Sequence, residues 1–247
     1  RIRKPLTEGR TVPTVELRIR RRFDGEVRDV EVAATPVAHG GRPAAQMVIR
    51  DITDQKRAQQ QLVEPERISY RSYDGLEIPA FLYRPVRPNR AAIVHPHGGP
   101  TSQYTFEWDI PAQYFVAKGY TYFCPNYRGG TGYGLEFEHA NHFAWGIGDT
   151  QDCLHGARYL GKLDWVDPER IAIYGGSYGG YMTACCLSRD PDYLFACGVS
   201  KYGDAHLVTS WAQCNRQLRL YTEAPLGHPS KHRQVYLDGS PLFEVEN

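Results

Sequence analysis

Apolar and polar residues alternate strictly over residues 15–20 (VELRIR), the period-two pattern of a strand with one face in solvent. Asp24-Gly25 is a turn signal, Val30 and Val32 resume the alternation, and residues 46–50 give a third strand. These predict a small antiparallel β segment over residues 1–50. The chain then turns polar, and residues 55–62 are good helix formers behind an Asp or Thr cap, so 51–63 reads as a linker helix. Beyond residue 63 the texture changes. Residues 67–71 and 76–83 flank Asp74-Gly75 as a hairpin, and residues 91–95 (AAIVH) form a short apolar run ending at a glycine-rich loop.

A helical stretch at 114–118 closes at Gly119, and residues 120–124 read as a buried strand. Asp149 is read as the cap of a helix whose apolar positions Cys153, Leu154, Ala157 and Leu160 follow the 3.6-residue period. A strand at 171–174, a helix at 178–187 and a strand at 195–199 complete the alternation. Strand and helix in repetition predict an α/β class, a mostly parallel sheet with helices on both faces. That second unit spans 64–247.

Composition refines this picture in two places. The 247 residues are 41% hydrophobic and 12% aromatic, enough for a packed core. The net charge of +1 hides an asymmetry: residues 1–63 hold 13 Lys/Arg against 8 Asp/Glu, and the remainder holds 16 against 20. Two modules of different origin would give such a shift. The basic residues are interleaved with acidic ones, which argues against a nucleic-acid surface, and no stretch is apolar and long enough to span a membrane. Six cysteines without a CxxC pair, mostly inside apolar runs, read as buried free thiols and point to a cytoplasmic setting.

Three motifs carry candidate chemistry. Residues 171–180 (IAIYGGSYGG) place a G-x-S-x-G between a predicted strand and a predicted helix, the context that motif needs to expose a nucleophile. Ser177 is the candidate nucleophile. Gly175 and Gly179 allow the sharp turn, and the helix start at Tyr178 aims free N–H groups at charge developing beside the serine. Residues 95–100 (HPHGGP) follow a buried strand, so Gly98 or Gly99 is placed to donate a second oxyanion N–H. His95 and His97 lack a partner cluster, which argues against zinc. Residues 126–134 (NYRGGTGYG) are glycine-dense but lack the P-loop lysine and the dinucleotide spacing, and read as a tight loop.

From about Glu66 onward the chain resembles the catalytic domain of the prolyl oligopeptidase family of serine peptidases, in its acylaminoacyl-peptidase and dipeptidyl-peptidase branch. The resemblance rests on residues 97–100, 126–129, 167–171, 175–181 and 240–243 (SPLF), in that order. It implies an α/β-hydrolase fold, no cofactor, a peptide substrate and an acyl-enzyme on Ser177. It also implies oxyanion donors at Tyr178 and at Gly98 or Gly99. Tyr202 and Trp211 are candidates for the substrate pocket, with core packing an equal reading. Residues 14–63 resemble the C-terminal half of a PAS sensor domain, through residues 21–25 (RRFDG), the two strands after them and the 50–53 exit (RDIT) into a helix.

In this fold the triad runs Ser, Asp, His, and in the family both partners follow the segment matching residues 240–247. The expectation is therefore a C-terminally truncated domain whose serine lacks its base, since His206, His228 and His232 do not sit on the loops where that base lies. Such a domain leaves a strand edge open near 195–199, and that edge or the 51–63 helix is where self-association is expected. The rivals are an esterase on the same scaffold and an inert, PAS-linked dimerisation module.

Overall fold

The computed structural model describes residues 11–39, 42–53 and 63–245, and the chain divides into two units, residues 1–62 and 63–247. In the first unit, β1 (Val12–Arg20), β2 (Val27–His39) and β3 (Arg42–Asp51) form an antiparallel sheet in that order. The alternation seen in sequence sets its register: Leu17 pairs with Val30 and Val15 with Val32, while Val32 pairs with Ile49 across the other ladder. Gly25, at φ 72°, closes the β1–β2 turn, and Val30, Val32, Ala34 and Ile52 are buried. The predicted 55–62 helix lies outside the described residues.

In the second unit, β4 (Glu66–Arg71) and β5 (Glu77–Tyr83) make the expected hairpin. A six-stranded mixed sheet then adds β6 (Ala92–Val94), β7 (Thr121–Pro125), β8 (Ile171–Gly176) and β9 (Cys197–Lys201), in the order β4-β5-β7-β6-β8-β9. The pairings β7-β6, β6-β8 and β8-β9 are parallel, and the hairpin side is antiparallel. Successive residues of one strand feed opposite layers. Tyr122 and Cys124 pack with Phe81, Tyr83 and Ile93 under α1 (Ile110–Ala117), whereas Phe123 packs with Leu82, Ala92 and Val94 in the larger core. That larger layer takes the inward residues of α3 (Gly148–Leu160) and α4 (Tyr178–Ser188), after the short α2 (Leu135–His139). Helices α5 (Leu207–Gln213), α6 (Arg216–Leu226) and α7 (Arg233–Asp238) follow β9.

Several boundaries differ from the sequence reading for identifiable reasons. Helix α1 starts at Ile110, because the Asp109 carboxylate accepts the Ala112 N–H at 2.9 Å and Pro111 suits a first turn. Asp149 does not cap α3: Ile147 occupies the cap position, and Asp149 lies fully buried inside the first turn. The last strand is shifted to Cys197–Lys201 by its pairing with β8, from Ala172–Cys197 to Gly176–Lys201. A buried ion pair ties loops to this frame. Arg128 reaches Asp152 at 2.8 Å and Asp74 at 2.8 Å, and Asp152 also accepts the Arg128 N–H and the Ser72 hydroxyl.

Candidate active site

Ser177 stands where β8 meets α4, with φ 56° and ψ −125°, a left-handed backbone rarely adopted by a residue with a side chain. Such a conformation costs about 1–3 kcal/mol and survives only where its surroundings over-determine it. Glycines do this here. A Cβ on Gly175 would lie 2.2 Å from the Gly179 carbonyl oxygen, and a Cβ on Gly179 would lie 2.2 Å from the Pro96 oxygen. The Ser177 N–H donates to the Lys201 carbonyl at 3.0 Å, and the Ser177 carbonyl accepts from the Tyr181 N–H at 3.0 Å, opening α4. The Tyr178 N–H, at the first helical position, has no intrahelical acceptor and lies at the positive end of the helix dipole.

The glycine pair after β6 abuts this turn. A Cβ at Gly98 would lie 3.6 Å from the Ser177 Cβ and 3.5 Å from the Gly176 oxygen. His97 pins the loop: its Nδ1 lies 2.7 Å from the Gly98 carbonyl oxygen, which fixes the proton on Nδ1. The Tyr127 hydroxyl donates to the His97 carbonyl at 2.6 Å, and the two rings stack at 4.2 Å. Burial pushes the His97 imidazole down to about 4, so it stays neutral, with Nε2 buried and without a hydrogen-bond partner among the described residues. His95 is likewise committed, with Nδ1 2.5 Å from the Tyr174 carbonyl and burial lowering its pKa. Neither ring is hydrogen-bonded to the Ser177 hydroxyl among the described residues.

Beneath the turn, the Tyr178 hydroxyl donates to the Asp149 carboxylate at 2.6 Å, inside a ring of Tyr127, Trp145 and Tyr181. Burial raises Asp149 to about 6, although the Tyr178 and Asn141 hydrogen bonds pull the other way. A fully buried carboxylate thus anchors the residue after the serine. Sequence spacing gave no signal for this, because Asp149 and Tyr178 meet only through the packing of α3 on α4.

Two clefts open on Ser177. One, of about 420 Å³, is walled by Trp145, Tyr178, Leu207, Trp211 and Leu218, with Gly99, Tyr202 and Asp204 at its rim. The other, of about 380 Å³, is more polar and is lined by His95, Gly98, Gln103, Glu107, Lys201 and Tyr202. Tyr202 is 73% exposed and adopts φ 47°, so it is a cleft residue rather than core packing. Trp211 is half-buried, and its Nε1 donates to Glu223 at 2.8 Å, which fixes the ring in the wall. His206 caps α5 by accepting the Thr209 N–H, His228 is bonded to Ser230, and His232 packs on Phe143. None of these three lines either cleft. Among the described residues no group of three or more His, Cys, Asp or Glu side chains could hold a metal ion.

A serine on a strained strand-to-helix turn of a mostly parallel sheet, with a glycine loop from the neighbouring strand against it, defines an α/β-hydrolase. The prolyl oligopeptidase family profile matches residues 104–247, more than half of the chain, and the chain belongs to that family. It is 34% identical over 113 residues to a dipeptidyl aminopeptidase BIII of Pseudoxanthomonas mexicana, covering 46% of this chain and 16% of that protein. Against human dipeptidyl peptidase 8 the identity is 29% over 192 residues, 74% of this chain and 20% of that one. Among solved structures, an acylaminoacyl peptidase of Pyrococcus horikoshii superposes with a TM-score of 0.69 at 25% identity, over 96% of this chain and 44% of that one. A puromycin hydrolase gives 0.70 at 28% identity, over 89% and 35%. The chain spans about a fifth of the length of these curated relatives.

Proposed function

We propose that this chain carries the nucleophile and oxyanion half of a serine peptidase acting on short peptides. Ser177 Oγ attacks the scissile carbonyl carbon, the carbonyl oxygen becomes an oxyanion, and loss of the amine leaves an acyl-enzyme that water later hydrolyses. The Tyr178 N–H and the N–H of Gly98 or Gly99 receive the oxyanion, and a donor of this kind is worth about 10²–10³ in rate. The observation that carries the reading is the Ser177 backbone, strained at φ 56° with Gly98 in contact. Tyr202 and Trp211 then line the pocket for the acyl side chain. The reaction calls for no cofactor. Family membership and the peptidase names of the relatives support a peptide substrate.

No His–Asp hydrogen bond reaches the Ser177 clefts among the described residues: His95 and His97 bond through Nδ1 to the Tyr174 and Gly98 carbonyls, and burial lowers both pKa values. Without a base, oxyanion donors and binding leave only about 10³–10⁴-fold over water. The 247-residue chain by itself is therefore expected to be nearly inactive. We also propose that the β1–β3 sheet is the C-terminal half of a PAS-type fold, a reading supported by its antiparallel order. The cytoplasmic setting is part of the same proposal, supported by six free thiols, four of them buried.

Fluorophosphonate labelling followed by peptide mass mapping tests this. Slow modification confined to Ser177, absent in Ser177→Ala, is expected. A label on another serine would sink the nucleophile assignment. Rapid labelling of Ser177 would show that a base is present after all.

A further inference from the structure

The two clefts at Ser177 differ in charge as well as polarity. Lys201 is the only Lys or Arg lining either of them among the described residues. It is the last residue of β9, and its carbonyl holds the Ser177 N–H, so its backbone is fixed to the nucleophile's own. Its Nζ lies 5.2 Å from the centre of the Tyr202 ring, which itself packs over Gly176, where a Cβ would lie 3.5 Å from the ring. Pairing with the Tyr202 hydroxyl raises the Lys201 pKa, so the ammonium stays charged at neutral pH, and no carboxylate contributes to that shift. A cation held over an aromatic face beside a nucleophile, in a cleft that also holds Glu107, is placed to receive an anion from the substrate.

We infer that Lys201, steadied by Tyr202, is a specificity residue that receives a carboxylate on the leaving-group side of the scissile bond, favouring substrates whose departing residue carries a free α-carboxylate. The assignment of sides rests on reading Ser177 as the nucleophile. The acyl and leaving halves of a peptide diverge from the attacked carbon. The aromatic and aliphatic wall of Trp145, Leu207 and Trp211 suits an acyl side chain, which leaves the Lys201 cleft to the departing amine. An acidic side chain on the departing residue offers the same chemistry as a chain terminus, so the two sources must be separated by experiment.

Equilibrium binding to the Ser177→Ala form of the 247-residue chain, followed by NMR titration, makes the test independent of turnover. The probes are benzyloxycarbonyl-Gly-Leu, its C-terminal amide, and benzyloxycarbonyl-Gly-Asp-amide. The free acid is expected to bind about tenfold more tightly than the leucine amide, the size of an exposed charge-assisted hydrogen bond. Lys201→Met should close that gap to less than twofold without changing the affinity for the amide, and Lys201→Arg should keep it. Equal binding of acid and amide, or a gap that survives Lys201→Met, would overturn the proposal. Preference for the aspartyl amide over the terminal acid would also overturn it, by assigning the carboxylate to a side chain. Failure of the nucleophile reading registers separately, in the labelling experiment.

Discussion

The β1–β3 sheet and the β4–β9 sheet use similar residues in opposite ways. In β7 every residue from Thr121 to Pro125 is buried, and alternate side chains serve two different cores. In β3 the three consecutive apolar residues Met47, Val48 and Ile49 are each more than half exposed. A strand buried on both faces is fixed in register by packing, since a one-residue slip would move every side chain to the wrong layer. A strand exposed on both faces is held in register only by its ladder, here the ten pairs from Val30–Asp51 to His39–Arg42. The larger sheet can therefore hold the strained Ser177 turn in place, whereas the described residues of the smaller one have little burial with which to hold any strain.

The contrast can be broken most severely at Gly179. An alanine there puts a methyl group 2.2 Å from the Pro96 oxygen, backbone against backbone, with no flexible side chain to yield. Gly179→Ala is expected to cost more than about 4 kcal/mol or to prevent folding of the second unit, placing it among the exceptional single substitutions. Urea denaturation measures this, and a loss below 1 kcal/mol would mean that the β6 loop is not packed against the turn as described.

A middle-sized effect depends on pH. The unfolded chain protonates His97 near 6.5, but burial holds the native imidazole to about 4. The stability tied to the neutral ring is therefore complete above pH 6.5 and lost as pH falls towards 4, a span of about 3 kcal/mol. Asp149, raised to about 6 by burial, works the other way and adds stability as pH falls through that region. Because the Asp149 contribution is common to both proteins, comparing wild type with His97→Asn isolates the imidazole. The variant should gain on wild type as pH drops from 6.5 to 4 in urea midpoints, and parallel pH profiles would contradict the assigned burial.

The smallest effect sharpens the other side of the comparison. Polar replacements at the exposed β3 positions, such as Met47→Gln and Val48→Thr, should stay within about 0.5 kcal/mol, as for surface sites generally. Larger losses in thermal unfolding, at Met47 for one face or at Val48 for the other, would show that that face is covered in solution.

Local chemistry alone made the α/β order, the hairpin at Asp74-Gly75 and the Ser177 turn legible. Period-two runs, glycine stops and a G-x-S-x-G between strand and helix are written in contiguous residues, so a single pass along the chain finds them. The antiparallel strands β1–β3 are readable for the same reason, though β2 runs on to His39, beyond the alternation that marks its start. Helices α5 and α6, which supply Leu207, Trp211, Leu218 and Tyr221 to a cleft wall, and the short α7 after them have no counterpart in the sequence reading.

Only the tertiary structure decided what surrounds Ser177. Asp149 reads in sequence as a helix cap and is instead the buried acceptor of the Tyr178 hydroxyl, because α3 packs on α4. His97 looked like one of two loop histidines and proved to be the clamp on Gly98, because Tyr127 stacks against it from a strand end 30 residues later. Lys201 drew no notice in sequence, and the parallel pairing of β9 with β8 places its carbonyl on the Ser177 N–H. Each of these contacts joins residues far apart in the chain, and their energies depend on burial and distance, quantities that residue order does not encode.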